Sequence, residues 1–313
     1  MFGMLPVVLA LLLAAGVAWS LRPVRTVGPV SPSEAWIAAE RHARRVAAAA
    51  WFALVGVLVL VAFGFESMLS GPSRGAVLGA LPGLAGVAFL VVLAAGELTW
   101  PRPTGAVRRA PLVPRRIRDL APHALSAVTA LWAGLLALLL IACGVAAGHD
   151  GRSLSYSRAE GFSSTVSPFP GGYFGRAIGP VILVLLVGAV AVLALIARRA
   201  AVSDTTEAAD ASLRRTSARR VLAGVQLVVA WTLAGCLYFA ASALGNVQPR
   251  WADAFGPGTA RSVAVVGAVL ALVIPIVATV VAVRGSRALA TPPAPAQRAE
   301  TYRKTAGQPQ ASA

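Results

Sequence analysis

Long apolar runs alternate along this chain with short segments that carry most of its charged residues. We identify seven such runs, each of roughly 18–24 residues, which at a rise of about 1.5 Å per residue can cross a hydrocarbon core of about 30 Å. In that core every backbone N–H and C=O group needs an internal partner, so the runs predict helices. The predicted spans are residues 4–21, 47–65, 76–97, 124–147, 177–197, 221–243 and 262–283.

The pattern predicts an all-α polytopic membrane protein. Residues 1–284 are expected to form one seven-helix transmembrane domain, and residues 285–313, rich in Pro, Ala and Gln, a disordered cytoplasmic tail. Composition agrees, because 57% of residues are hydrophobic, 13% are charged and the mean hydropathy is +0.74. Soluble domains carry about a quarter charged residues.

The distribution of basic residues predicts an orientation. Loops 22–46, 98–123 and 198–220 hold five, six and six arginines, and the tail from Arg284 holds five more basic residues, which leaves six of the 28 for the other side. The excess predicts an N-terminus outside and a C-terminus in the cytoplasm. Because arginines follow residues 4–21 and none precedes them, we interpret that run as an uncleaved helix, although it resembles a signal peptide.

The net charge of +16 raises nucleic acid as a partner, but its clustering in short loops favours membrane topology instead. We therefore expect anionic lipid headgroups at the cytoplasmic face and no nucleic acid. Segments 33–46 and 203–220 have helical capping and charge spacing. The first is either a coupling helix that touches a partner protein or an elbow on the membrane surface. The second, in which Asp210 and Arg214 have the four-residue spacing of a helical ion pair, is expected to extend the sixth span.

Gly75, Gly79 and Gly83 repeat every four residues and line one face of the third span. Small residues at that spacing allow a second helix to approach closely. The alternatives are packing inside the bundle and a homodimer seam or hinge. Tryptophans at span ends are typical of interfacial belts. They are Trp19, Trp51, Trp100 and Trp251.

Candidate chemistry is sparse. No ionisable residue falls at the middle of a predicted span, which argues against ion-coupled transport. Glu97 ends the third span close to three arginines, and we interpret the group as an interfacial charge cluster that stops and anchors the helix. Those arginines are Arg102, Arg108 and Arg109. The spacing of three histidines and two cysteines predicts no metal site, no disulfide and no cofactor, and no catalytic motif is present.

The largest outside segment, residues 149–176, is rich in Ser, Gly and aromatic residues. Such a loop can fold back over the bundle as a lid, or capture a ligand or partner. The alternative is that its rings lie in the headgroup layer. Its candidate recognition residues are Tyr156, Phe162, Phe169, Tyr173 and Phe174.

Two stretches, GELTWPRPTGAVRRA at 96–110 and SPFPGGYFG at 167–175, resemble a set of multi-pass membrane proteins of high-GC Gram-positive (actinobacterial) bacteria. The resemblance covers about 30 residues and the general layout of spans. It implies a location in the bacterial inner membrane. No activity is assigned to that set, so it implies no catalytic residue.

These observations favour a non-enzymatic accessory or sensory component with an aromatic loop outside the cytoplasm, which meets a ligand or a membrane or cytoplasmic partner. The first alternative is a permease subunit that works with a separate ATPase, for which segment 33–46 is the candidate docking helix. A third class, a lipid-modifying enzyme, needs a polar cluster at one interface. The candidates are Glu97 with His123, and Glu66 with His149 and Asp150.

Overall fold

The computed structural model of the chain describes residues 33–63, 74–101, 117–157, 163–203, 205, 207–247 and 259–286. These residues form seven helices and one hairpin of two strands. In chain order they are α1 (Glu34–Phe63), α2 (Arg74–Leu98), α3 (Ile117–Leu120), α4 (His123–Ala146), β1 (Leu154–Ser157), β2 (Ser163–Val166), α5 (Gly172–Arg198), α6 (Glu207–Asn246) and α7 (Thr259–Ser286).

Six of these helices, all but α3, are long and apolar enough to cross a membrane. Their outward faces are apolar, as in α5, where Leu183, Val187 and Val190 are about 60% exposed. Apolar faces of that extent are stable only against a bilayer or a partner, so the chain is a multi-pass membrane protein. The predicted first span, residues 4–21, and the predicted tail beyond residue 286 lie outside the described residues.

Several helices continue beyond the predicted membrane spans, because polar residues extend them past the apolar runs. Segment 33–46 is no separate helix, since α1 runs unbroken from Glu34 to Phe63. Its N-cap is Ser33, whose hydroxyl accepts the amide N–H of Trp36 at 3.2 Å. The predicted extension of the sixth span is confirmed, since α6 begins at Glu207. The all-α expectation is confirmed, and the short hairpin β1–β2 is an addition to it among the described residues.

Helix α6 lies at the centre of the bundle and packs against α7, α4, α2 and α5. Its residues from Val221 to Ala230 are buried on every side, which explains why it has no apolar stripe. The amide of Gln226, fully buried, donates to the carbonyl oxygen of Ala278 on α7 at 2.8 Å. Around α6, α1 packs on α2 and α2 packs on α5.

The two ends of the bundle differ in chemistry. We call the end that carries β1 and β2 the hairpin end; α2, α5 and α7 begin there. We call the opposite end, where α2 and α5 finish and α6 begins, the arginine end. Trp51 and Trp100 were expected at an interface, but both are buried, Trp51 against Phe89 of α2 with ring centroids 5.1 Å apart.

Candidate functional site

The loop between α4 and β1 is a tight turn built on Asp150. One carboxylate oxygen accepts the amide N–H groups of Arg152 at 3.1 Å and Ser153 at 3.0 Å, and the Ser153 hydroxyl at 2.7 Å. These hydrogen bonds, that of the Ser153 hydroxyl first, lower the pKa of Asp150. Gly151 adopts a left-handed φ of 65°, which a side chain would strain.

Strands β1 and β2 pair antiparallel, with Leu154 opposite Val166 and Tyr156 opposite Ser164. The hairpin is fastened to the bundle by an apolar contact and by backbone bonds. Leu154 and Phe169 pack among residues of α4 and α6, including Cys143 and Ala240. The amide N–H of Phe169 donates to the Arg152 carbonyl at 2.8 Å.

The chain then enters α5 through a close backbone approach. The amide N–H of Tyr173 donates to the Gly151 carbonyl at 2.9 Å. A Cβ at Gly171 would lie 2.6 Å from the same carbonyl oxygen and would also meet Ala147, so only glycine fits. Strands β1 and β2 and residues 167–171 are therefore held against the end of the bundle, and we call them together the roof.

Beneath this roof lies a cavity of about 350 Å³, which we call the hairpin cavity. Helices α2, α5 and α6 form its walls and the segment 168–170 covers it. Its volume falls within the range of roughly 300–1,000 Å³ that is typical of small-molecule pockets. Its lining residues are Gly75, Leu78, Gly79, Pro82, Pro168, Phe169, Pro170, Phe174, Ile178, Trp231, Thr232, Gly235, Cys236 and Phe239.

The structure brings together only some of the predicted recognition residues. Phe169, 3% exposed, and Phe174 both line the hairpin cavity. Tyr173 and Phe174 belong to the first turn of α5 rather than to a loop, and their rings meet edge to face at 5.0 Å. Tyr156 lies in β1, and Phe162 lies outside the described residues.

The glycine face of α2 packs inside the chain against α5. A Cβ at Gly79 would lie 3.3 Å from the Phe174 ring, and one at Gly83 would lie 2.7 Å from Val181. Gly75 also faces the Phe174 ring. The close approach of α2 and α5 therefore depends on these glycines, and it forms one side of the hairpin cavity.

At the arginine end, Glu97 pairs with Arg199, which directly follows α5. A guanidinium nitrogen of Arg199 lies 3.4 Å from the carboxylate of Glu97 and 3.3 Å from the hydroxyl of Ser217. The same guanidinium stacks on the Trp100 ring at 3.8 Å. Burial lowers the pKa of Arg199, and the charge of Glu97 opposes that shift. The predicted partners Arg102, Arg108 and Arg109 lie outside the described residues.

His42 completes this cluster from α1. Its Nε2 donates to the Gly96 carbonyl at 2.9 Å, and its ring meets Trp100 edge to face at 5.6 Å. A cavity of only about 20 Å³ lies beside it, with Glu97 and Arg220 in its wall. That is room for about one water-sized group, so the cluster offers no space for a lipid headgroup or an organic substrate.

Arg214 of α6 forms a second buried network, and sequence reasoning missed its role. Its guanidinium donates to Asp210 at 2.8 Å and to three carbonyls at the end of α5, those of Ile196, Ala197 and Arg199. These carbonyls have no partner within their own helix, so Arg214 caps α5. The spacing of Asp210 and Arg214 predicted the ion pair, but nothing in the sequence indicated that α5 ends against it.

The described residues contain no group of three His, Cys, Asp or Glu side chains that could hold a metal ion. Cys143 and Cys236 are buried free thiols. His123 begins α4 at the arginine end, and His149 lies in the turn after α4 at the opposite end. Among the described residues, Glu97 is paired with Arg199, Asp210 with Arg214, and Arg220 with the Ala43 carbonyl.

The structure therefore places the chain in the class of multi-pass membrane proteins. It has an apolar cavity at one end of the bundle and two buried ion pairs, Glu97–Arg199 and Asp210–Arg214, at the other. No family model, no curated protein and no solved structure matches the chain.

Proposed function

We propose that the chain is a non-enzymatic sensory or accessory component of a bacterial inner membrane, which recognises an apolar ligand at the hairpin end. One observation carries the proposal. The docked roof holds Phe169 over a cavity that is lined almost wholly by apolar side chains from α2, α5 and α6. A preformed apolar pocket of this size is the usual form of a ligand site.

The ionic residues support a non-enzymatic role. Glu97 is paired with Arg199, and Asp210 with Arg214, so each of these buried charges is offset by its partner. The cavity beside Glu97 has room for about one water-sized group. A lipid-modifying enzyme has no supporting observation among the described residues, because His123 is exposed at the start of α4 and Glu97 is paired with Arg199. Glu66 lies outside the described residues.

The distribution of basic residues supports an orientation with the N-terminus and the hairpin end outside and the C-terminus in the cytoplasm. In this orientation exposed arginines of the arginine end face the inner leaflet, where they attract anionic headgroups. They are Arg41, Arg45, Arg198 and Arg215. A regulator or another cytoplasmic protein is the proposed partner at this end.

A permease subunit that works with a separate ATPase is the second candidate. The continuity of α1 favours it, because residues 34–46 form a rigid extension of a spanning helix. Trp36 and Ala39 anchor that extension to α6, while Ile37 and Arg41 are exposed. Co-purification of a stoichiometric ATPase that is lost on Ile37→Glu would favour the permease over the sensory role.

The proposed role is tested by complementation of a strain that lacks the gene, profiled for growth under membrane stresses. Residues 158–162, between β1 and β2, are replaced by Asn-Gly, and Thr165→Ala, an exposed change in β2, is the matched control. We expect the shortened hairpin to insert at wild-type level and fail to complement, while the control complements. Full complementation by the shortened hairpin would exclude it as the recognition element.

The orientation is tested separately in a background with Cys143→Ala and Cys236→Ala. Cysteines are introduced at the exposed positions Thr165 and Arg215, at opposite ends of the bundle. We expect an impermeant maleimide to label Thr165→Cys in intact cells and Arg215→Cys only after lysis. The reverse pattern overturns the orientation.

A further inference from the structure

We propose that the hairpin cavity binds one hydrocarbon chain of a bilayer lipid. The inference rests on the proposed function for the recognition at the hairpin end, and it names the class of ligand. It depends on the shape of the cavity, the chemistry of its walls and what lies at its open side.

The cavity is a wedge between α2 and α6. Near the middle of the bundle the two helices touch, because a Cβ at Gly86 would lie 3.0 Å from Val228 and one at Gly224 would meet the Phe89 ring. Towards the hairpin end they separate, and the space between Pro82 and Trp231 becomes part of the cavity. Helix α5 closes the back of the wedge, with Phe174 and Ile178 in its wall.

The walls offer little recognition of a polar ligand. Of the lining residues only Thr232, Trp231 and Cys236 have polar side-chain atoms, and the Thr232 hydroxyl donates to the Val228 carbonyl of its own helix at 2.8 Å. The indole N–H of Trp231 is buried and has no hydrogen-bond partner among the described residues, so it is the single donor left for a ligand. A ligand with several polar groups would lose hydrogen bonds to water that one donor cannot replace, which costs several kcal/mol on the scale of roughly 2–7 per group. A hydrocarbon chain loses nothing of this kind.

The bilayer supplies that occupant directly. Phe239, which lines the cavity, is 45% exposed on the outer surface of α6, and the lining residues Leu78 and Pro82 of α2 are partly exposed. The side of the wedge between these residues therefore faces the hydrocarbon of the membrane. The cavity has more than twice the volume of an engineered apolar cavity of about 150 Å³ that binds benzene.

Selection among chains comes from shape rather than from the hydrophobic effect, since hydrocarbon leaves one apolar environment for another. Pro82, Phe169 and Phe174 are stiff groups at three sides of the cavity. The fit of a chain against these groups decides its affinity, so we expect lipids of one headgroup and different chain shapes to compete unequally.

Trp231 makes the occupant measurable. The protein is reconstituted in nanodiscs with phosphatidylglycerol that carries brominated acyl chains. The contribution of Trp231 to the fluorescence is the part that is lost in the Trp231→Phe variant, and the quenching of this part by bromine is recorded. We expect bromine to quench this component strongly. The key variant is Gly235→Leu, because Gly235 lines the cavity and has no atom within 4 Å of an added Cβ.

Gly134→Leu is the matched control, since Gly134 of α4 also has open space around its Cβ and lies away from the cavity. We expect Gly235→Leu to lower the quenching of Trp231 by about twofold or more, because the leucine occupies chain volume, while thermal stability is kept. Gly134→Leu should leave quenching unchanged.

As a second measurement, a photoreactive amino acid replaces Phe239, and we expect it to crosslink to lipid. Three outcomes overturn the proposal. They are no quenching of Trp231, equal quenching in Gly235→Leu and wild type, and crosslinks from position 239 to residues 1–21 or to a second copy instead of lipid. This experiment is independent of complementation. If lipid occupies the cavity but the variant with residues 158–162 replaced complements fully, only the sensory role is overturned. If that variant fails to complement but no lipid occupies the cavity, only the lipid site is overturned.

Discussion

Glu97 at the end of α2 and Arg199 directly after α5 form an ion pair although 102 residues separate them, with a carboxylate oxygen 3.4 Å from a guanidinium nitrogen. Their side chains are 10% and 1% exposed. Two further nitrogens of Arg199, Nε and Nη2, have no hydrogen-bond partner among the described residues. The Glu97 carboxylate is therefore the principal compensation for a buried charge.

Glu97→Gln should strongly destabilise the protein. It leaves the Arg199 guanidinium buried without a counter-charge, which costs on the order of 3–5 kcal/mol. Thermal unfolding in detergent or nanodiscs measures the loss. Asp119→Asn is the matched control, because Asp119 and its partner Arg118 are 63% and 69% exposed, and surface pairs contribute about 0–1 kcal/mol.

The double variant Glu97→Gln with Arg199→Gln should recover part of the stability, since it removes both charges together. The thermal unfolding midpoint of the double variant is compared with those of Glu97→Gln and Arg199→Gln alone. A double variant that unfolds at a lower temperature than both single variants would show that Arg199 is held by Trp100 and Ser217 and not by Glu97.

Arg214→Lys should destabilise the protein although it keeps the charge. A lysine ammonium cannot reach Asp210 and three carbonyls in the fork that a guanidinium presents. The loss of bonds to a charged group predicts about 2–3 kcal/mol. Arg215→Lys, on the exposed neighbour, is the control and should unfold as the wild type does. Equal midpoints for the two variants would mean that the end of α5 needs no cap.

Gly83→Ala should destabilise the contact of α2 with α5, because its Cβ would lie 2.7 Å from Val181 and α2 must move away. Overpacking of this kind costs about 1–3 kcal/mol. Gly179→Ala on α5 has nothing within 4 Å of its Cβ and should be neutral or stabilising, since alanine is the better helix former by about 1 kcal/mol. Melting midpoints that fail to separate the two variants would show that α2 and α5 can move apart freely.

The turn at Asp150 should loosen at acidic pH. The pKa of Asp150 is lowered in the folded turn, so its contribution to stability is fully present above the pKa of the unfolded chain. The contribution is lost as the pH falls through the folded value. Hydrogen exchange at the amides of Arg152 and Ser153 should therefore accelerate beyond its intrinsic pH dependence. The acceleration should appear at a pH below that at which an ordinary aspartate titrates.

Asp150→Asn is the control for this turn, because asparagine can accept the same hydrogen bonds but does not titrate there. Its exchange should show no additional step at acidic pH. If wild type and Asp150→Asn behave alike across the range, the carboxylate does not stabilise the turn.

Local sequence was sufficient for the helices. The apolar runs predicted all six described spans, because backbone groups in a bilayer permit only helices or closed barrels. It was also sufficient for the Asp210–Arg214 ion pair, since residues four apart share a helix face. The fifth predicted span begins at residue 177, whereas the helix that contains it, α5, begins at Gly172.

The sequence by itself determined that this chain crosses a membrane several times and which residues are able to pack closely, because span length and small-residue spacing are local properties. Only the tertiary structure decided that Arg199 pairs with Glu97, that Arg214 caps α5, and that Phe169 covers a cavity walled by α2, α5 and α6. These relationships join positions far apart in the chain. Their geometry depends on how six similar apolar helices pack, and hydrophobic patterning alone does not distinguish one neighbour from another.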